Sequence, residues 1–313
     1  MNISKSQALP TGVYAALATP RRLNSIECDT AALLDYLDAV IQTGVNGIVL
    51  FGSTGEFVHF DTSERMRAVT LAIKRSRVPV LVNVSHSTLA GAIYLGEHAV
   101  ASGAAGLLLM PPYFYRYSPE QITAFYSAFA KALAGSIPIF LYNLPDFTNR
   151  LSAELAESLL DSGEFAGIKD SSGDWELFQS LRALRERRQF HLFAGNESIY
   201  LRARLAGADG IVSGIAAAFP ELIVALDRAI TSSQLERAQR LDHRLQEFLT
   251  WVNKFPAPAA IRQAAIARDW PLQHFALPFD EDTAADLIAF QQWFRTWVSA
   301  VLAEINEPAP VTG

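Results

Sequence analysis

Eight short apolar runs, separated by segments of helical character, constrain this chain more than any other feature. They read GVYAALATP (12–20), GIVLFGS (47–53), VPVLVNV (78–84), GLLLMPP (106–112), IPIFLYN (137–143), FAGIKD (165–170), HLFAG (191–195) and GIVSG (210–214). None alternates cleanly between apolar and polar residues, as expected for parallel strands covered on both faces. The segments between them carry helix signals. In DTSERMRAVTLAIKRS, Asp61 and Thr62 precede Glu64. In YSPEQITAFYSAFAKAL, Ser118 stands as an N-cap with Pro119 in the first turn. Eight such units predict a closed (β/α)8 TIM barrel. An open doubly wound sheet is the alternative, but the first strand lacks a G-x-G-x-x-G turn into a helix.

After about residue 220 the strand signals stop. ELIVALDRAI, QLERAQRLDHRLQEFLTWVNK, PAPAAIRQAAIARD and DTAADLIAFQQWFRTWVSAVLAEI all read as helices. The expected organisation is a barrel with a short N-terminal segment over 1–225 and a C-terminal helical extension over 226–313, with EPAPVTG (307–313) frayed. Half of the 313 residues are apolar, enough for a sizeable core. The formal net charge is −6, and the densest basic run, RALRERR (182–188), reads as the solvated end of a helix, so nucleic acid is not an expected partner. Cys28 is the single cysteine, which leaves no intrachain disulfide framework. The opening MNISKSQALP lacks the apolar core of a signal peptide, and no apolar run reaches membrane-spanning length. A cytoplasmic enzyme or binding protein, with no membrane partner, is expected.

A barrel of this kind places its active site at the C-terminal ends of the strands. Collected there are Gly52, Ser53, Thr54, Gly55 and Glu56 after the second run, Ser85 and His86 after the third, and Tyr113, Phe114 and Tyr115 after the fourth. Tyr142 and Asn143 end the fifth run, Lys169 and Asp170 the sixth, Gly195, Asn196 and Glu197 the seventh, and Ser213 and Gly214 the eighth. Of five lysines, only Lys169 follows an apolar strand at the barrel mouth. Lysine is rarely buried unless it is paired or chemically used. Pairing with Asp170 is one reading of Lys169. A Schiff-base nucleophile is the other: a free amine with a pKa of about 10.4 is almost wholly charged at neutral pH, and desolvation favours the neutral, nucleophilic form. Tyr142, one strand away, is a candidate proton carrier, with core packing as its alternative role. Ser53, Thr54 and the backbone N–H groups around Gly52 and Gly55 could hold the carboxylate of a 2-oxo acid without a fixed positive charge. The six histidines are scattered, and LATPRR offers no His-x-His, so no metal and no cofactor is expected.

GSTGE (52–56), YNLP (142–145), GIKDSSGD (167–174) and GADGIVSG (207–214) occur in order at successive strand ends. Together they resemble the dihydrodipicolinate synthase / N-acetylneuraminate lyase family, over roughly residues 10–300. The resemblance implies a class I, pyruvate-handling aldolase or lyase on a (β/α)8 barrel. It implies that Lys169 is the Schiff-base lysine and Tyr142 the proton-relaying tyrosine. Ser53 and Thr54 become the pair that binds the pyruvyl carboxylate and extends the relay, with Thr54 counted as catalytic. Gly195 and Val212 line the pyruvate pocket, with Gly52 beside them. It further implies a homo-oligomer, a tetramer or a dimer, in which Phe114 occupies the position of an aromatic that reaches across a subunit contact.

Departures from the family pattern bear on the substrate. Phe147 stands where dihydrodipicolinate synthases place an arginine, with Arg150 three residues on. After the seventh strand the residues are Glu197 and Ser198, and the eighth strand carries Gly214 where sialic-acid lyases have serine. The resemblance then implies a short 2-keto-3-deoxy sugar acid or a 4-hydroxy-2-oxo acid, cleaved to or formed from pyruvate and an aldehyde. The alternatives are 4-hydroxy-tetrahydrodipicolinate synthesis, a Schiff-base dehydratase, and a non-catalytic 2-oxo-acid-binding protein.

Overall fold

Strand β1 (Gly12–Ala16) pairs in parallel with both β2 (Gly47–Leu50) and β8 (Gly210–Ser213). That double pairing closes a barrel with strand order β1 to β8. Between them run β3 (Val80–Asn83), β4 (Gly106–Leu109), β5 (Ile139–Asn143), β6 (Gly167–Asp170) and β7 (His191–Ala194). Each strand falls inside one of the eight apolar runs, and the fold is the expected (β/α)8 barrel. The structure is a computed structural model and describes residues 11–307 apart from 24 and 26. The opening decapeptide, and all of the tail expected to fray except Glu307, lie outside the described residues.

The helices begin where the sequence marks them. Asp61 caps α2 (Thr62–Arg75) by accepting from the Glu64 N–H at 2.9 Å. Ser118 and Gln121 form a reciprocal capping box on α4 (Pro119–Leu133), with Pro119 in the first turn. Each such cap contributes about 1 kcal/mol by satisfying a helix-end donor. Helices α1 (Thr30–Gln42), α3 (Leu89–Ser102), α5 (Ala153–Asp161), α6 (Trp175–Leu184) and α7 (Tyr200–Leu205) complete the ring up to β8.

Inside the barrel an aromatic layer fills the lower part. Tyr14 meets Phe193 edge-on at 5.4 Å, and Phe140 lies 6.0 Å from Phe193. Side chains two residues apart on a strand share a face. Tyr142 and Gly195 therefore sit one layer above Phe140 and Phe193, toward the C-terminal mouth.

Helix α8 (Pro220–Thr231) packs against β1, and the division at 225/226 falls within it. Helices α9 (Leu235–Val252), α10 (Ala259–Ala267) and α11 (Glu281–Asn306) follow, as the sequence predicts. Phe248 on α9 stacks on Phe290 and lies 5.5 Å from Trp297, and Trp297 meets Phe219 of the barrel at 5.7 Å. Burying rings of this size ties the extension to the barrel through apolar area. Among the described residues no helix is long and apolar enough to cross a membrane.

Candidate active site

Lys169 and Tyr142 are register partners on neighbouring strands β6 and β5. Registered residues of parallel strands face the same side, so both project into the barrel. Lys169 is 3% exposed and Tyr142 fully buried. The Lys169 amine lies 4.0 Å from the centroid of the Tyr142 ring. Across the mouth, Tyr142 Oη and Ser53 Oγ are hydrogen-bonded at 3.0 Å.

Asp170 does not serve as the partner of Lys169. It points to the other face of β6, where its carboxylate accepts from Asn143 Nδ2 at 2.8 Å and from the Ser172 N–H and hydroxyl at 3.1 and 2.9 Å. Burial raises the Asp170 pKa, against the opposing effect of the Ser172 and Asn143 hydrogen bonds. Asn143 also accepts from the Leu151 N–H at 3.1 Å. The Asn143–Asp170 pair thus locks β5 to β6 from outside and leaves the inward lysine free of it.

Two glycines shape the space around the lysine. A Cβ on Gly195 would stand 2.2 Å from Ser171 Oγ and 2.9 Å from Lys169 Cε, so any larger residue there must displace one or both side chains. Gly52 is buried, yet a Cβ there would meet nothing within 4 Å. It borders open volume beside Ser53. Thr54 is also buried, but it lies toward β8: its Oγ1 is 2.9 Å from where a Cβ on Gly214 would begin. Ser53 is therefore the hydroxyl that reaches Tyr142. Val212 is buried on β8 in register with Tyr14.

The remaining candidates have other engagements. Glu197 Oε1 accepts from Ser213 Oγ at 2.7 Å and from the Ile215 N–H at 3.0 Å, fastening the end of β7 to β8. Ser198 donates to Asn196 beside it. Ser85 donates to Asn83 Oδ1 at 2.6 Å and accepts from the Met110 N–H at 2.8 Å. Arg150 is ion-paired with Asp174, the N-cap of α6. Phe147 is 60% exposed on the rim. Phe114 is 86% exposed, holds a positive φ of 80°, and meets the exposed Tyr115 edge-on at 5.0 Å.

Three buried arginines, Arg21, Arg65 and Arg262, escaped the sequence reading. Glu56, at the end of GSTGE, pairs with Arg21 at 3.2 Å and with the fully buried Arg262 of α10. Burial opposes the Glu56 charge, but Arg262 and Arg21 outweigh it and hold the carboxyl below its usual range. Arg65 of α2 is buried and donates to the backbone carbonyls of Asn83 and Ser85, with its guanidinium 5.1 Å from the Phe57 ring centroid. Burial lowers its pKa to about 10. An arginine in an amphipathic helix pattern gives no sequence signal that it faces inward.

Beside Ser53 opens a cavity of about 230 Å³, bounded by residues from the ends of β2, β4 and β5 and by Ala257 and Pro258 ahead of α10. A larger groove of about 730 Å³, between Arg21 and Phe279, contains neither Ser53, Tyr142 nor Lys169.

Fold and site together define a (β/α)8 barrel with a buried lysine at the end of β6, the setting of a barrel enzyme. The chain belongs to the dihydrodipicolinate synthetase family, whose family model matches residues 9–291. It is 29% identical over 259 residues to a probable 2-dehydro-3-deoxy-D-pentonate aldolase, YjhH, of Escherichia coli, covering 80% of this chain and 85% of that one. It is 29% identical over 284 residues to the 4-hydroxy-tetrahydrodipicolinate synthase of Desulfotalea psychrophila, covering 88% and 94%. Among solved structures, E. coli YagE, a prophage protein of the dihydrodipicolinic acid synthase family in complex with pyruvate, superposes with a TM-score of 0.83. It shares 25% identity, over 92% of this chain and 99% of that one.

Proposed function

We propose that this protein is a class I aldolase or lyase that joins pyruvate to an aldehyde, or splits a 4-hydroxy-2-oxo acid into them, through a Schiff base on Lys169. The observation that carries this reading is the buried Lys169 amine 4.0 Å from the Tyr142 ring, with Tyr142 bonded to Ser53. In the cleavage direction the amine adds to the ketone carbon and water leaves, giving an iminium. The proton of the C4 hydroxyl passes to the Tyr142–Ser53 pair. The C3–C4 bond breaks, its electron pair forms the enamine, and the aldehyde departs. The proton returns to C3, and water hydrolyses the iminium to release pyruvate and regenerate the amine. Nothing is oxidised or reduced. The buried lysine needs no third group to act as an electron sink once the iminium forms.

The substrate carboxylate docks on Ser53, Thr54 and the N–H groups near Gly52, where Gly52 borders open volume. Gly195 leaves the lysine its path, and Val212 closes the pyruvate pocket from β8. Short 2-keto-3-deoxy sugar acids are one set of 4-hydroxy-2-oxo acids that this chemistry handles. Synthesis of 4-hydroxy-tetrahydrodipicolinate is disfavoured, because Phe147 offers no donor and Arg150 is held by Asp174. The exposed Phe114 supports a subunit contact in a homo-oligomer, and the reading is of a cytoplasmic enzyme with a barrel and a helical extension as its two parts. The test is borohydride reduction in the presence of pyruvate, followed by mass spectrometry of a digest. Label on Lys169 is expected. Label on another lysine, or none at saturating pyruvate, sinks the mechanism.

A further inference from the structure

We infer that the aldehyde partner is apolar, an aromatic or branched aliphatic aldehyde rather than a polyhydroxylated one; this rests on the pyruvate-aldolase reading above. The cavity beside Ser53 is where the substituent on C4 must lie, because Ser53 is the one residue shared by the cavity wall and the hydroxyl pair at Tyr142. Its walls are Phe57, Met110, Tyr113, Leu144, Phe147 and Pro258. Phe57 and Tyr113 pack edge-on at 5.8 Å and present ring faces and edges, with Met110 and Leu144 buried behind.

Most of the polar groups on that wall are already engaged. The Thr148 hydroxyl donates to the backbone carbonyls of Leu144 and Asn149 at 3.0 and 3.2 Å. Glu56 is held by Arg21 and Arg262, and His59 Nδ1 lies 3.2 Å from Arg21 Nη2. Ser53 is bonded to Tyr142. A chain of sugar hydroxyls entering this space would give up water for few free partners, chiefly the Tyr113 hydroxyl and His59 Nε2, and a buried polar group without a hydrogen bond is costly. An apolar substituent loses nothing by leaving water. The volume of about 230 Å³ suits one aromatic ring, since an apolar cavity of ~150 Å³ takes up benzene.

The experiment compares two condensations with pyruvate, one with benzaldehyde and one with glyceraldehyde, alongside borohydride labelling by pyruvate alone. The expected result is label on Lys169 and a kcat/KM for benzaldehyde at least about tenfold above that for glyceraldehyde, the scale on which hydrophobic pockets discriminate. Phe147→Ser should shift that ratio toward glyceraldehyde by about tenfold; Phe147 is exposed, so the fold tolerates the change. Label on Lys169 with glyceraldehyde equal or better, or with neither aldehyde consumed, overturns the apolar assignment and leaves the Schiff base standing. Absence of label overturns the aldolase reading itself, and this assignment with it.

Discussion

Tyr142 Oη lies 3.0 Å from Ser53 Oγ although 89 residues separate them in the chain. One residue ends β5 and the other follows β2, so they meet only because the barrel closes. The contact aims the phenol across the mouth while its ring lies beside the Lys169 amine. Removing the hydroxyl alone should leave the packed ring, and so the lysine, in place. Tyr142→Phe should therefore keep the borohydride-trappable adduct and lose about 10²- to 10⁴-fold in kcat, the usual range for a general acid–base group. Turnover unchanged in the variant would mean that the proton travels elsewhere.

Ser53→Ala should lower kcat through the same pair. Groups that act as a unit are far from additive. The double variant Ser53→Ala/Tyr142→Phe should be no slower than Tyr142→Phe alone, within about threefold. Multiplied losses in steady-state kinetics would show that the two hydroxyls work independently.

At Gly195 even one methyl group collides with the lysine stem and with Ser171. Displacement of a reacting group by about 1 Å can cost about 10² in rate. Gly195→Ala should thus reduce kcat/KM by at least that factor and weaken trapping of pyruvate, while far-UV circular dichroism stays that of the parent. Full activity would place the substrate-facing conformation of Lys169 away from Gly195.

Glu56 joins the loop after β2 to α10 through Arg262, across 206 residues. Its carboxyl is held below the usual value of 4.5, so its pairing stabilises the fold above that pH and is lost as the pH falls through the lowered value. Breaking one partner of a buried pair costs about 3–5 kcal/mol. Glu56→Gln should lose stability of that order in urea at pH 7. Between pH 7 and pH 4 it should also lose less than the parent does. Equal denaturation midpoints at pH 7 would show that the pair contributes nothing net.

Phe147→Arg should raise activity toward aspartate semialdehyde relative to cleavage of uncharged 4-hydroxy-2-oxo acids. One charge-assisted contact is worth about 1.5–3 kcal/mol, roughly 10- to 150-fold. Efficient condensation of pyruvate with aspartate semialdehyde by the unaltered protein would show that another residue holds that carboxylate.

The sequence by itself determined the architecture and the placing of Lys169 and Tyr142 at neighbouring strand ends. Strand-length apolar runs, each followed by a capped helix, admit few topologies, and β1 through β8 fall within them because local pattern and right-handed connection leave little choice. Lys169 and Tyr142 were legible for the same reason: each ends an apolar run, and strand ends face the mouth. What only the tertiary structure decided are the contacts between distant segments. That Ser53 rather than Thr54 reaches Tyr142, that Asp170 turns away to Asn143, that Glu197 is spent on β8, and that Arg65 and Arg262 are buried depend on how strands and helices converge. The apolar wall beside Ser53 is drawn from four separate stretches of chain. No period or spacing in one stretch encodes which face of another it will meet; that is set by packing, where each side chain takes the space and partners its neighbours leave.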